Sequence, residues 1–522
     1  MTHRALAQAG LVVSGAFLIS RILGWIRVAI IAITIGAGPD LDAFFAAFRL
    51  PDLIFQLVAA GALSSALIPI VAALLTTDDQ QRAWRVVSTV TNLMLAALVL
   101  LAAIIFLAAP AIVPAITPGF DATQAARTAD LTRIMLLGPI FLALGSVATS
   151  LLNAQGRFAA AAVAPIVYNL AIIGAALFLA PTLGVTGLAI GVVAGSLAHL
   201  LVQLPSVLRL GFRYTRLIDL SDPQARKALA LMAPRAIGLG ATQITFVVVT
   251  SIASTIGEGA ISAFNIAFTL LQIPIGVIGV PLGVVVFPAL SREAALGRAE
   301  EFAALLSRAV RLLLFVMLPI TGIGIVLRRE VTELLFGYGK FDAAAIDLTA
   351  ATLFTFMFGL AAHALIAVLA RAFYARQDTR TPVAAGIISV VVNTTLSVVL
   401  AGPLGLPGIG LAIAVGAWLE MAILLVLLRR RLPELSLGPI FLVAIRSLFA
   451  TVLASAVAYA LRGGLALVGD TEPSTVALLV RLVIVGGVGL GVYAVLAAAL
   501  RIPELPSIVG VMADLLRRPR RA

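Results

Sequence analysis

Long apolar stretches, separated by short breaks rich in charged residues, Pro and Gly, fill almost the whole chain. A stretch of about 20 apolar residues is long enough to cross a bilayer as a helix. The chain is 61% hydrophobic and only 11% charged, with a mean hydropathy of +1.13, whereas soluble proteins have about 25% charged residues. The sequence therefore predicts an all-α polytopic membrane protein.

The breaks divide the chain into fourteen predicted transmembrane helices. The first is about 25 residues long and lacks a small-residue cleavage site, so we interpret it as a retained helix rather than a signal peptide. The loops are too short to hold an inserted soluble domain. The predicted spans are 10–35, 43–75, 86–109, 131–153, 161–181, 184–208, 228–255, 259–290, 305–327, 347–370, 382–402, 408–428, 440–461 and 477–500.

The distribution of basic residues predicts the orientation. With the N-terminus inside, 25 of the 36 Lys and Arg residues lie in inner segments and about seven in outer ones. This asymmetry follows the positive-inside rule and places both termini in the cytoplasm. It also explains the net charge of +12 through contact with anionic membrane lipids, so the charge does not indicate nucleic-acid binding. Four arginines remain inside predicted spans: Arg21, Arg27, Arg49 and Arg235.

Three short matches at nearly one offset indicate an internal repeat. The segment Gly187-Leu-Ala-Ile recurs from Gly410, Asn169 matches Asn393, and Asp42-Ala-Phe matches Ser262-Ala-Phe. Since six spans is an even number, the copies share one orientation, with a pseudo-two-fold axis along the membrane normal. The predicted organisation is two parallel six-helix halves, 1–222 and 223–432, followed by helices 13 and 14 at 433–500 and a basic cytoplasmic tail at 501–522.

The first two spans hold the strongest candidate site. Asp42, Phe45, Arg49, Asp52 and Gln56 are spaced three or four residues apart and share one helical stripe, while Arg21 and Arg27 converge only if the first helix bends. A central Arg costs roughly 2.5–3.5 kcal/mol in a bilayer. One interpretation is intramembrane ion pairing for packing alone. The other, which we favour because two carboxylates do not neutralise three arginines, is a cationic cavity that binds an anionic ligand such as a phosphate.

Other polar residues leave alternatives open. Arg235 either snorkels to the inner surface or lines the second half of the cavity. Glu420 is either an interfacial acid or a proton-coupling group. The three histidines have no partners at ligand spacing, and the chain has no Cys, so we expect no metal and no other cofactor. No Walker motif is present, which argues against ATP as the direct energy source.

Several motifs together resemble one family of transporters. They are SRILGWIR at 20–27, DAFFAAFRLPDL at 42–53, GALSSALIPI at 61–70, TPGF at 117–120, LLNAQGRF at 151–158 with APIVYN at 164–169, FGYGKF at 336–341 and AFYARQDTRTPV at 372–383. The resemblance is to the MurJ (MviN) lipid II flippases of the MOP exporter superfamily, and it extends over all fourteen predicted helices.

The resemblance implies a non-enzymatic transporter in the bacterial inner membrane. It would move lipid II, the undecaprenyl-diphosphate-linked peptidoglycan precursor, from the inner to the outer leaflet by alternating access. In that family the helix 1 arginines face the diphosphate, which carries over to Arg21 and Arg27, and Asp42 and Arg49 also match. Helices 13 and 14 would form a groove for the lipid tail. We expect a monomer, with contact to the cell-wall synthesis machinery left open.

The chain also departs from the family pattern. A frequent helix 2 Arg is Phe55 here, the helix 8 Arg is Thr269, and an acid expected one turn after Asn393 is Ser397, so we do not predict sodium binding. Arg235 is a candidate to compensate for the missing helix 8 Arg. These departures concern the cavity rather than the fold.

Three other functions are alternatives to lipid II transport. A related exporter of another polyprenyl-linked oligosaccharide is the nearest alternative, whereas a drug exporter would favour acids in its cavity. A polyprenyl-phosphate transferase would need clustered Asp, Glu or His at a membrane face, which the sequence lacks. A scaffold that binds cell-wall intermediates without moving them would leave costly charges unused.

Overall fold

The computed structural model describes residues 3–58, 62–76, 79–468, 474–508 and 510. Every regular element within these ranges is helical, which confirms the predicted all-α membrane fold. Eleven helices in the described part are long and apolar enough to cross a membrane, or up to twelve if one bent pair counts as a single span. The predicted spans 43–75 and 228–255 correspond to helices outside that count, so fourteen stays a prediction.

The chain forms two compact units, Met1–Ala263 with Tyr338–Ala345, and Phe264–Gly337 with Ile346–Ala522. In the first, α1 packs on α7, α7 on α9, and α11 on α2, α3 and α4. Its helices are α1 His3–Ile35, α2 Pro39–Val58, α3 Ala62–Thr76, α4 Gln80–Ile116, α5 Ala122–Met135, α6 Leu137–Ala154, α7 Phe158–Phe178, α8 Ala180–Leu183, α9 Val185–Leu201, α10 Leu204–Leu208 and α11 Pro223–Ile256. The predicted halves 1–222 and 223–432 rest on the sequence repeat and stay a prediction.

The helix α12, Ala260–Pro274, begins in the first unit and continues into the second. In the second unit α18 packs on α19, and α20 packs on α14 and α21. The remaining elements are a π-helical segment Ile275–Gly279, α13 Val280–Ala295, α14 Ala299–Val326, α15 Arg328–Phe336, α16 Ala343–Met357, α17 Leu360–Ala375, α18 Arg380–Leu404, α19 Leu406–Arg431, α20 Gly438–Val468 and α21 Thr475–Ala499. The predicted tail 501–522 is described only to residue 508 and at 510.

One predicted span is not a straight helix. The stretch predicted at 347–370 consists of α16 and α17, which are bent by 48° at their junction. A Cβ atom at Gly359 would lie only 2.9 Å from the Ala414 Cα atom, so this position accepts only Gly without a shift. The Trp418 indole Nε1 donates to the Phe358 carbonyl at 2.7 Å, and it thereby satisfies a backbone acceptor at the break.

The internal repeat is visible in the backbone of each unit taken by itself. Gly184 precedes α9 with φ 58° and ψ −141°, and Gly405 precedes α19 with φ 60° and ψ −144°. Each donates its N–H to the carbonyl four residues earlier. A positive φ at both positions suits glycine; Gly184 lies three residues, and Gly405 five residues, before the start of its Gly-Leu-Ala-Ile segment. The two segments therefore share their conformation as well as their sequence.

Charged caps outside the spans fix helix ends. Asp222 caps α11 through the Gln224 N–H, and the Arg82 guanidinium donates to it at 2.7 Å, which lowers the pKa of the Asp222 carboxyl. Desolvation acts to raise the pKa of Asp378, but hydrogen bonds from Thr381 and Arg431 outweigh it and lower the pKa to about 2. Both carboxylates thus stay ionised at neutral pH, where they hold neighbouring helix ends together.

The predicted orientation can be tested with single cysteines, because the chain has none. Ser436 and Thr182 are both exposed and lie in segments predicted inside and outside, respectively. In spheroplasts, a membrane-impermeant maleimide is expected to label Thr182→Cys directly and Ser436→Cys only after permeabilisation. The opposite pattern would contradict N-in, C-in topology, and labelling after denaturation controls for the amount of each variant.

Candidate functional site

Arg21 lies in a cavity between α1, α6 and α7. The cavity has a volume of about 530 Å³, and the guanidinium lies 5.8 Å from the centre of the Phe17 ring. The described residues that line the cavity include no carboxylate; they are Phe17, Ser20, Arg21, Thr149, Asn153, Phe158, Ala161, Ala162 and Pro165. The cavity therefore combines one cation with uncharged polar groups and apolar walls.

Arg27 faces the same helix, α7, about one turn further along. Its guanidinium lies 5.7 Å from the centre of the Tyr168 ring, and Tyr168 follows Pro165 of the Arg21 cavity by three residues. Within the described part of the chain, no carboxylate forms an ion pair with Arg21 or Arg27. Both arginines therefore lie beside α7, and α1 is helical without interruption from His3 to Ile35.

Arg49 and Asp52 lie on α2, which continues through Pro51, and they interact with α11. The Arg49 Nε atom donates to Thr250 Oγ1 at 2.9 Å, and its guanidinium lies 5.2 Å from the Phe246 ring centre. Asp52 lies within electrostatic range of Arg49. It also contacts the side-chain amides of Gln56 and Gln243. The positive charge of Arg49 is therefore partly balanced by Asp52 within the first unit.

Asp42 has a different environment from the other candidate residues. Its side chain is 1% exposed, and both oxygens accept hydrogen bonds at the N-terminus of α12. The Gly259 N–H donates to Oδ2 at 2.7 Å, while the Ser262 N–H and hydroxyl donate to Oδ1 at 2.7 and 2.6 Å. These bonds, together with the partial positive charge of a helix N-terminus, stabilise the carboxylate. Asp42 and Ser262 are also the two residues matched by the sequence repeat.

Further contacts join helix ends on the side where Asp42 lies, and we call this set the closed end. The Gly119 N–H donates to Ser254 Oγ at 3.2 Å, and the Lys340 N–H donates to the Ile33 carbonyl at 2.9 Å. A Cβ atom at Gly119 would lie 2.0 Å from the Ser254 carbonyl oxygen, so the two backbones touch. All these segments lie in loops or helix ends that the sequence predicts on the outer side.

The remaining candidate residues are less informative. Arg235 lies on α11, but its side chain falls outside the described part of the structure. Phe55 packs against an apolar core cluster, and the Thr269 hydroxyl donates to the Asn265 carbonyl one turn earlier. Among the described residues, no group of three His, Asp or Glu side chains could hold a metal ion.

Several side chains that contact the arginines were not predicted from the sequence. Tyr168, Thr250 and Phe246 were not identified, and Thr149 and Asn153 were not assigned to the Arg21 cavity. Tyr168 directly precedes Asn169, one of the repeat matches, so its position offered a usable signal. Thr250 and Phe246 offered none, because ordinary apolar-helix residues do not reveal a partner about 200 residues away.

Comparison with known sequences decides the family. The family model described as "Lipid II flippase MurJ" matches residues 31–471. The chain is 34% identical to lipid II flippase MurJ of Burkholderia cenocepacia over 434 residues, which cover 82% of this chain and 84% of the relative. It is 36% identical to a probable lipid II flippase MurJ of Rhizobium tropici over 440 residues, covering 82% and 81%. The chain belongs to the MurJ family.

Solved structures agree on the fold. A lipid II flippase MurJ in an inward closed conformation superposes with a TM-score of 0.78 at 21% identity, covering 94% of this chain and 98% of that one. An inward-facing MATE-family multidrug resistance transporter of the MOP superfamily gives 0.68 at 16% identity, covering 80% and 95%. The MurJ resemblance and the MOP-type fold predicted from the motifs are thus confirmed, while the roles of individual site residues stay predictions.

The structural contribution of Asp42 can be measured by unfolding. Asp42→Ala leaves the Gly259 and Ser262 N–H groups without their acceptor, and losing hydrogen bonds to a charged group costs about 2 kcal/mol. We expect a clear drop in the thermal midpoint of the purified protein in detergent. Asp40→Ala is the matched control, because Asp40 forms a half-exposed ion pair with Arg127, and such pairs contribute about 1 kcal/mol or less. Equal destabilisation by both substitutions would contradict this role for Asp42.

Proposed function

We propose that this chain is a flippase that moves lipid II from the inner to the outer leaflet of the bacterial plasma membrane by alternating access. Membership of the MurJ family and relatives named lipid II flippase support this function. Such a transporter moves its cargo without making or breaking covalent bonds. Its task is to carry a diphosphate and sugars through the membrane while the polyprenyl tail stays in lipid.

The observation that carries the proposal is the Arg21 cavity. Its one charged side chain is a cation, and the Asn153 amide and the Thr149 and Ser20 hydroxyls are its other polar side chains. A guanidinium binds phosphate oxygens through paired N–H donors, and amide and hydroxyl groups suit the hydroxyls of a sugar. Because no carboxylate lines the cavity, the charge of Arg21 stays available to an anion.

Arg27 extends the cationic surface along the same face of α7. We infer that Arg21 and Arg27 hold the diphosphate. Arg49 and Asp52 on α2 contribute further contacts to the same ligand. We also propose that Arg235 lines the second half of the cavity. Asp42 contributes differently, because its three hydrogen bonds hold the closed end together.

Alternating access requires the closed end to open. The Asp42, Gly119 and Lys340 contacts must then separate, so each of them stabilises the state that is closed on the predicted outer side. The contacts of the closed end suit such a motion, because their hydrogen bonds join separate helix ends and do not lie within one continuous helix. We infer that breaking these bonds accompanies release of the headgroup to the outer leaflet.

The lipid tail needs a separate apolar surface. The helices α20 and α21 pack on α14, and α20 exposes large apolar side chains such as Phe441, Leu448 and Phe449. We propose that α20 and α21, which correspond to the predicted helices 13 and 14 at 433–500, form the tail groove. We further propose cytoplasmic N- and C-termini, a monomer, contact of the basic segments with anionic lipids, and docking to the cell-wall synthesis machinery.

Removing the Arg21 charge should abolish transport. In proteoliposomes loaded with lipid II, Arg21→Gln is expected to reduce flipping at least tenfold, because losing a charge-assisted phosphate contact costs 1.4 kcal/mol or more. Arg21→Lys should retain part of the rate, since Lys keeps the charge but not the paired donors. The rate is measured as lipid II that becomes accessible to an impermeant enzyme outside the vesicles.

Arg209→Gln serves as the control for Arg21, because Arg209 is exposed in a loop and should leave the rate unchanged. Normal flipping by folded, inserted Arg21→Gln protein would remove Arg21 from the proposed site. Absence of lipid II flipping by the unmodified chain would overturn the proposed function itself.

Weakening the closed end should increase its opening. The Ser254 side chain is 5% exposed next to Gly119, so Ser254→Cys reports opening through its reaction with an impermeant maleimide. Adding Asp42→Asn leaves only one acceptor oxygen, and a loss of about 1.4 kcal/mol raises the open fraction about tenfold. We expect labelling to accelerate by that factor relative to Ser254→Cys alone. The same rate in both variants, with Asp40→Asn as a further comparison, would show that Asp42 does not control opening.

A further inference from the structure

Glu420 lies in the middle of a membrane-spanning helix. It is nine residues before Arg429 on α19, which corresponds to about 14 Å along the helix axis. It shares a helical face with Gly416, Ala417, Leu424 and others that are buried, whereas residues on the opposite face are exposed. The acid therefore lies on the buried face of α19 within the second unit, and its place near the middle of the helix favours the proton-coupling interpretation over that of an interfacial acid.

The environment of Glu420 contains a hydroxyl and no cation. Its Oε1 atom lies against α18 at Gly386, 3.7 Å from where a Cβ atom would be, and its carboxyl contacts the Ser389 hydroxyl. None of the ion pairs among the described residues involves Glu420. An ionised carboxylate in the bilayer core is costly without a cation, so this environment favours the neutral acid.

The Ser389 hydroxyl supplies an independent argument from hydrogen-bond geometry. Ser389 Oγ donates its only proton to the Gly416 carbonyl at 2.8 Å. A hydroxyl has one donor and two acceptor lone pairs, so Ser389 is left as an acceptor towards Glu420. The contact is then a hydrogen bond only if the Glu420 carboxyl carries the proton. Ionised Glu420 would instead compete with the Gly416 carbonyl for the Ser389 proton.

Polar side chains continue from this point along the same face of α18. Asn393 and Ser397 follow Ser389 at intervals of four residues, and all three are buried. The Ser397 Oγ atom has no hydrogen-bond partner within the described structure. We call Ser389, Asn393, Ser397 and Glu420 the polar seam. It extends from Glu420 towards the end of α18 that the sequence predicts on the outer side.

Other titratable groups on the neighbouring helices leave Glu420 without a counter-charge. The helix α17 carries His363, Arg371 and Tyr374, and α18 carries Arg380 at its first residue. The Arg371 guanidinium donates to the Ala367 carbonyl on its own helix at 2.6 Å. Glu420 is therefore the acid through which pH would act on the polar seam.

We propose that Glu420 is a proton-binding site that couples transport to a proton gradient. The carboxylate takes up a proton from water that reaches the polar seam from the outer side, which forms one O–H bond. That bond breaks when the proton is released to the inner side, and Ser389 changes its acceptor from Gly416 to Glu420 as the charge appears. The proton site stands on the geometry of α18 and α19 alone, whereas coupling to lipid movement rests on the proposed function.

The proton site is tested directly by infrared difference spectroscopy on the full chain in liposomes. The wild-type protein at neutral pH is expected to show a protonated-carboxyl C=O band that is absent in Glu420→Gln. Ser389→Ala should shift this band without removing it, because one hydrogen bond is lost. Glu434→Gln is the matched control, since Glu434 is exposed beyond the end of α19, and it should leave the band unchanged. Identical spectra for wild type and Glu420→Gln would overturn the proton site.

Coupling is tested by the ratio of lipid II flipping rates with and without an imposed pH gradient, acidic on the outer side. The wild type and Glu434→Gln should accelerate several-fold with the gradient, and Glu420→Gln should show a ratio of one. Equal ratios in wild type and Glu420→Gln would overturn coupling. If the wild type flips no lipid II under either condition, the proposed function fails, while the infrared result still decides the proton site.

Discussion

A guanidinium inside a bilayer must be stabilised locally, and the arrangement of the first unit follows from that requirement. Arg21, Arg27 and Arg49 each lie near the face of an aromatic ring. Such contacts stabilise a cation without neutralising it, whereas an ion pair would cancel its charge. Among the described residues, Arg21 and Arg27 therefore keep their positive charge without a carboxylate partner. In the proposed function, this charge binds the diphosphate.

The position of Asp42 is part of the same charge balance. An acid one or two turns from Arg49 on α2 could have paired with it, but its oxygens are occupied by the Gly259 and Ser262 N–H groups and the Ser262 hydroxyl. A helix N-terminus therefore stabilises this carboxylate instead of an arginine. This one interaction joins the helix ends at the closed end and keeps the Asp42 carboxylate away from the arginines. The Asp42 side chain therefore affects both the charge balance around the arginines and the contacts of the closed end.

The sequence predicted the class of fold well because span length and loop charge are local properties. The repeat was also detectable, since Gly184 and Gly405, which precede the matched segments, have the same backbone conformation. The role of Asp42 was not predictable, because its partners are backbone N–H groups more than 200 residues away. The same holds for Thr250 beside Arg49 and for the 48° bend between α16 and α17. Residue types on one helix suggest a chemistry, but their partners depend on how distant helices pack.

The contact between Asp42 and Ser262 also joins two residues that the sequence repeat matches to each other. An acid at position 262 would place a second carboxylate against Asp42. With Ser262 as the partner, one carboxylate accepts from both a hydroxyl and an N–H group. In the proposed transport cycle, opening of the closed end removes these donors from Asp42. Opening therefore has to offset the loss of three hydrogen bonds to one carboxylate.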